Sequence, residues 1–72
     1  IMKIEVYNKE RKLICTCDDI IYKSEIIIVA KRIKYTNGVI YQDANEGVDF
    51  VLGESDYVLQ DFGYNPCRLQ IK

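Results

Sequence analysis

The clearest pattern in the chain is a pair of apolar runs flanking Asn37-Gly38. The arm before the turn, Ile26 to Thr36, is dense in β-branched residues, which lose little on being extended and pack well on a pleated surface. Asn-Gly suits the positive φ that both central residues of a type I′ turn require. A hairpin from Glu25 to Gln42 is therefore predicted. A two-residue turn pairs Thr36 with Val39, so that Tyr35 faces Ile40 and Ile33 faces Gln42, on a core face continued by Val29 and Ile27. The other face sets Lys34 across from Tyr41 and Arg32 across from Asp43, which suits water. A slip of one residue would turn the charges inward.

Ile26 to Ala30 is apolar on both faces, whereas an antiparallel strand with one wet face alternates. This end predicts cover on both sides. The rest of the domain supplies it, or a second copy does, in a homodimer through Ile26, Ile28 and Ala30.

Period-two alternation also marks Met2–Tyr7 and Lys12–Cys17, joined by the polar turn 8–11. A four-residue loop there sets Val6 against Leu13, Ile4 against Cys15 and Met2 against Cys17, all facing the core, with Ile14 a misfit on the outer face. Asp18-Asp19 breaks the run, and Ile20-Ile21-Tyr22 reads as a short strand or corner. Residues 43–47 read as a second turn. Val48, Phe50 and Leu52 then alternate inward. The segment 54–62 is ambiguous. Tyr57-Val58-Leu59 favours a strand, while Ser55 could cap a short helix ending at Gly63. Cys67, Leu69 and Ile71 form a last alternating strand. The sum is an all-β domain of six to seven short strands with at most one short helix. An antiparallel meander of that kind is expected to close into a barrel or a two-layer sandwich, since closure removes the edges that invite aggregation.

Length makes this a single domain over 1–72, with Met2 the natural start and Ile1 an addition before it. No stretch approaches the roughly 20 apolar residues that span a membrane as a helix. No signal sequence is visible, so a cytoplasmic location is expected. Heavy use of Ile, Lys, Asn and Tyr points to an AT-rich source such as a low-GC bacterium or its phages. Net charge is −1, but residues 1–36 carry +3 and residues 37–72 carry −4, and no basic residue occurs between Asn37 and Cys67.

Candidate chemistry is thin. Cys15, Cys17 and Cys67 lack the fourth Cys or His of a structural zinc site, and all three fall on core faces, where a free cysteine behaves as a small hydrophobe. Asp43-x-Asn45-x-Gly47-x-Asp49 echoes a calcium loop but has Val48 where the sharp-turn glycine belongs. Histidine is absent, so a nucleophile would lack its usual base. No metal, cofactor or catalytic residue is therefore assigned, and a non-catalytic binding module is expected.

Two binding surfaces suggest themselves. Six tyrosines are many for 72 residues. Tyr7, Tyr41, Tyr57 and Tyr64, with the acids Asp43, Asp49 and Asp56, suit a protein partner carrying a basic surface, in a regulatory or inhibitory role. The alternative is a face of Lys31, Arg32, Lys34 and Tyr41 that binds single-stranded nucleic acid by stacking bases beside cations.

Overall fold

The computed structural model describes residues 2–53, 56–62 and 68–71, and every regular element among them is a strand. The seven strands are β1 (Lys3–Tyr7), β2 (Leu13–Lys23), β3 (Ile27–Tyr35), β4 (Ile40–Gln42), β5 (Val48–Val51), β6 (Val58–Phe62) and β7 (Arg68–Ile71). They form one antiparallel sheet. Six lie in the order β4-β3-β2-β1-β6-β7, and β5 pairs with β3 beyond β4. The region 54–62 thus contributes a strand, although Ser55 and Gly63 themselves lie outside the described residues, as do Tyr64 and Cys67.

The sheet is open. Closing it into a barrel would need β4 to meet β7, and no such pairing is present among the described residues. The turn at 43–47 does not reverse the chain. β4 pairs with residues 32–34 of β3 and β5 with residues 27–30, both antiparallel and along the same edge. The five residues between them form one outsized bulge opposite Lys31. The Asp43 N–H donates to the Lys31 carbonyl at 2.9 Å, and the Gly47 N–H returns to the Asp43 carbonyl at 3.0 Å.

Both hairpin registers differ from those the spacing predicts, and the turns account for one step in each. Each turn holds three residues, the last in the left-handed region. In 9–11 that residue is Arg11, at φ 65°, and in 36–38 it is Gly38, at φ 96°. The closing bonds match, with Asn8 N–H to Lys12 O at 2.9 Å and Tyr35 N–H to Val39 O at 2.8 Å. Three-residue turns of this kind carry their own bulge and fit strand twist as well as type I′ does. In the first hairpin the turn sets Tyr7 against Leu13 and a bulge between Val6 and Tyr7 adds a second step, so Val6 pairs Cys15 and Ile4 pairs Cys17, a shift of two that preserves the faces but leaves Met2 and Leu13 exposed. In the second, Ile33 pairs Tyr41 and Lys34 pairs Ile40, a shift of one that exchanges the faces of β4.

A second departure lies inside the long strands. Cys15 and Cys17 of β2 face the core, and so do their rung partners Tyr35 and Ile33. Further along, the core residues are Ile20 and Ala30, followed by Ile28, so both strands change sides over the same rungs. Asp18-Asp19 and Lys31-Arg32 occupy the crossing. Asp19 takes φ 57°, the left-handed kink that reverses the pleat. The polar doublet therefore bends the strand without ending it.

The bend folds the sheet over its own core. Tyr35 and the Ile28–Phe50 rung lie seven residues apart on β3, about 23 Å if the strand were straight. The Phe50 ring nevertheless stands 6.2 Å from the Tyr35 ring. Phe50 also meets Tyr57 edge-on at 5.4 Å, and Tyr35 meets Tyr41 at 5.9 Å. Beneath this aromatic row lie the fully buried Ile4, Val6, Cys15, Cys17, Ile28 and Ile33.

Candidate protein-binding surface

The bend gives the molecule two outer faces of different character. One backs the β1, β2 and β3 rungs near the first hairpin. Its rows read Lys3-Asp18-Arg32-Gln42 and Glu5-Thr16-Lys34-Ile40. Charges of both signs alternate there and satisfy one another. Arg32 Nε lies 3.4 Å and Lys34 Nζ 3.9 Å from Asp18 Oδ2, and the Tyr7 hydroxyl donates to Glu5 at 2.8 Å. That bond, with burial and the Glu5 charge adding to it, raises the Tyr7 pKa above its usual value.

The other outer face belongs to the far ends of β2 and β3 together with β5. A bulge at Ile21 in β2 brings Ile21 and Tyr22 to the same side, because the register slips by one between Ile20 and Tyr22. Tyr22 is the rung partner of Val29, Val29 of Asp49, and Ile27 of Val51. The result is an apolar strip of Ile21, Tyr22, Val29, Ile27 and Val51. Tyr22 is 56% and Val51 66% exposed, and Ile21 is exposed beside them. Gly47 presses against the strip, and a Cβ there would stand 2.7 Å from Val29 Cγ1 and 2.9 Å from Ile21 Cδ1.

The exposed acids Glu46 and Asp49 border this strip and join no ion pair among the described residues. Asp43 is already committed. Its Oδ1 accepts the N–H groups of Glu46 at 3.1 Å and Asn45 at 2.9 Å, which hold the carboxyl below its usual pKa. Those bonds make the calcium-like spacing a turn fastened by its own backbone. Among the described residues no three His, Cys, Asp or Glu side chains stand together so as to hold a metal ion.

The residues singled out from sequence are scattered. Tyr7 lies on the charged face and Tyr57 packs half-buried on Phe50. Tyr41 stands on the core side against Tyr35. Asp49 adjoins the apolar strip, and Asp56 is exposed before β6. Tyr64 is outside the described residues. Of the basic-aromatic set, Arg32 and Lys34 share the charged face, where both are paired with Asp18. Tyr41 is on the opposite face, and Lys31 lies at the bend beside a shallow depression lined by Met2, Asp19 and Ile20. Of Ile26, Ile28 and Ala30, the last two are fully buried and only Ile26 is on the surface. Sequence reasoning missed Ile21, Tyr22 and Val51. Their signal was the consecutive apolar triplets Ile20-Ile21-Tyr22 and Phe50-Val51-Leu52, where strict alternation fails.

Comparison with protein-family models, with curated proteins and with solved structures finds no match to this chain.

Proposed function

We propose that this protein is a small non-catalytic binding module whose partner is another protein, in a regulatory or inhibitory role. One observation carries the reading, the contiguous apolar strip of Ile21, Tyr22, Ile27, Val29 and Val51 with unpaired acids at its border. Small soluble domains scatter exposed apolar residues singly, whereas an apolar patch rimmed by polar groups marks an interaction site. Tyrosine beside aliphatic side chains is also a common composition at the centre of such sites.

The nucleic-acid reading draws less support. A stacking platform needs aromatics and cations on one face. Here Tyr41 is on the side opposite Arg32 and Lys34, and both cations are engaged by Asp18.

Affinity capture from a cell lysate, with and without nuclease, tests the proposal. A stoichiometric protein retained through nuclease and lost on Tyr22→Glu supports it. Retention that disappears with nuclease, or that is indifferent to Tyr22→Glu, refutes it.

A further inference from the structure

We infer that the outer edge of β5 takes up an extended, basic segment of the partner as an added strand. This rests on the protein-binding reading above and names the chemistry of the partner.

The backbone supplies the first argument. The Leu52 N–H donates to the Ile26 carbonyl at 2.7 Å, which makes Ile26 and Leu52 a bonded rung. Bonded rungs alternate in an antiparallel pair. Phe50 and Val48 therefore turn their N–H and C=O groups toward Ile28 and Ala30. Asp49 and Val51 turn theirs away from β3, and no described strand receives them. Two residues spaced for a ladder thus present two donors and two acceptors along one edge. A peptide strand is the occupant whose chemistry matches that row.

Side chains supply the second. Asp49 and Val51 alternate with the inward Val48 and Phe50, so they stand on the outer face with Val29 and Ile27. An added strand would place one side chain beside Asp49 and the next on the same face beside Val51, continuing the apolar strip. The first position calls for Lys or Arg and the second for an aliphatic residue.

Charge decides between a second copy and a different protein. Glu46 and Asp49 flank this edge, and the sequence has no basic residue from Asn37 to Cys67. Two such edges brought together would set acid against acid, and like charges across a strand pair are destabilising. A charge on an edge strand is also a device against self-pairing. The same carboxylate that repels a second copy attracts a basic strand.

A synthetic peptide with blocked ends, alternating Thr with Lys, Val and Lys, presents the required face in either direction. Titrated into the 15N-labelled protein, it should slow hydrogen exchange of the Asp49 and Val51 amides. Asp49→Lys should weaken it at least about tenfold. Glu in place of Lys in the peptide should do the same, and the Glu peptide with Asp49→Lys should recover binding. Asp49 is exposed and Val51 keeps its partner rung, so these variants retain the fold, which circular dichroism verifies. Val51→Pro, which removes the outward N–H together with the valine side chain, should abolish binding, whereas Val51→Ala, which keeps the N–H, should only weaken it.

Absence of binding up to about 1 mM peptide overturns the inference. So does binding that leaves both amides unprotected, or that ignores the charge at residue 49. Protection of the edge by a dimer of the protein alone, seen by sedimentation, overturns it in favour of a second copy. If capture yields a partner sensitive to Tyr22→Glu but not to Val51→Pro, the binding module stands and strand addition fails. If nothing is captured, the failure lies with the binding reading itself.

Discussion

Asp18 and Arg32 are rung partners whose side chains meet at 3.4 Å on the outer face, beside the point where β2 and β3 both change sides. Lys34 reaches the same oxygen at 3.9 Å. The Asp18 side chain is 14% exposed and the two cations are nearly half exposed, so the pairs are partly screened. Asp18→Ala should lower stability by about 1 kcal/mol, the upper range for a surface network. The exchange Asp18→Arg with Arg32→Asp should recover part of what either change alone loses. Urea melts at low and high salt would check this, with the coupling shrinking as salt rises.

Gly47 and Gly38 both have positive φ but differ in surroundings. At Gly47 a Cβ would meet Val29 and Ile21 side chains and stand 3.3 Å from the Ala30 carbonyl oxygen. At Gly38 it would meet nothing within 4 Å. Gly38→Ala should therefore cost only the backbone strain, about 1 kcal/mol. Gly47→Ala adds a clash and should cost about 2–3 kcal/mol. Thermal melts separate the two, since about 1 kcal/mol moves a domain of this size by roughly 4–8 °C.

Arg11 fills the same place in its turn that Gly38 fills in the other, at φ 65° and with a side chain. Arg11→Gly relieves that strain and gives back some of it as unfolded-chain entropy. A net gain of up to about 1 kcal/mol is expected, read as a rise in melting temperature. A fall would show that the Arg11 side chain, and not only its backbone, supports the turn.

Two groups give opposite pH dependence. Burial, with smaller contributions from the neighbouring Cys15, Cys17, Tyr41 and Tyr57, raises the Tyr35 pKa above 10.0. Its stabilising part is whole below the unfolded value near 10 and is lost as pH rises through the folded value. Tyr35→Phe should flatten the alkaline fall in stability. Asp43 is held below 3.8 by the Glu46 and Asn45 N–H groups, so its part is present above the unfolded value and is lost as pH falls through the folded one. Asp43→Asn should flatten the acid limb. Melting temperature against pH reads both.

Cys15 and Cys17 are buried free thiols on one face of β2. Hydrogen bonding to Cys15, then burial, drives the Cys17 pKa far above that of a free thiol. The thiolate is the reactive form. Iodoacetamide should leave both residues unmodified in the native protein at neutral pH and alkylate both in denaturant, as peptide mapping would show. Native labelling of Cys17 would mean that the core opens locally.

Strand existence was legible, and strand geometry was not. Met2–Tyr7, Lys12–Cys17 and Val48–Leu52 announced themselves by alternation, and the Asn37-Gly38 turn lies where the sequence puts it. The registers escaped because Asn-Gly suits a two-residue turn and a three-residue turn alike, and because nothing in the residue type of Arg11 announces positive φ. The bend escaped for a different reason. Asp18-Asp19 looked like the end of a strand and Lys31-Arg32 like a wet face, and only their cross-strand adjacency turns two polar doublets into a corner. The acids of the candidate surface were visible individually. Its apolar strip was not, because a bulge at Ile21 decides which side Tyr22 takes.

The pairing of β1 with β6 joins Tyr7 to Val58 and Lys3 to Phe62, while the other described pairings link strands near one another along the chain. Closing so long a loop is the slow entropic step of assembly, whereas the hairpins form from local encounters. As the chain leaves the ribosome, β1 through β5 can pair while β6 is still being made. During that interval the outer edge of β1 stands uncovered, and a nascent-chain chaperone or a neighbouring chain has its opportunity there before β6 arrives.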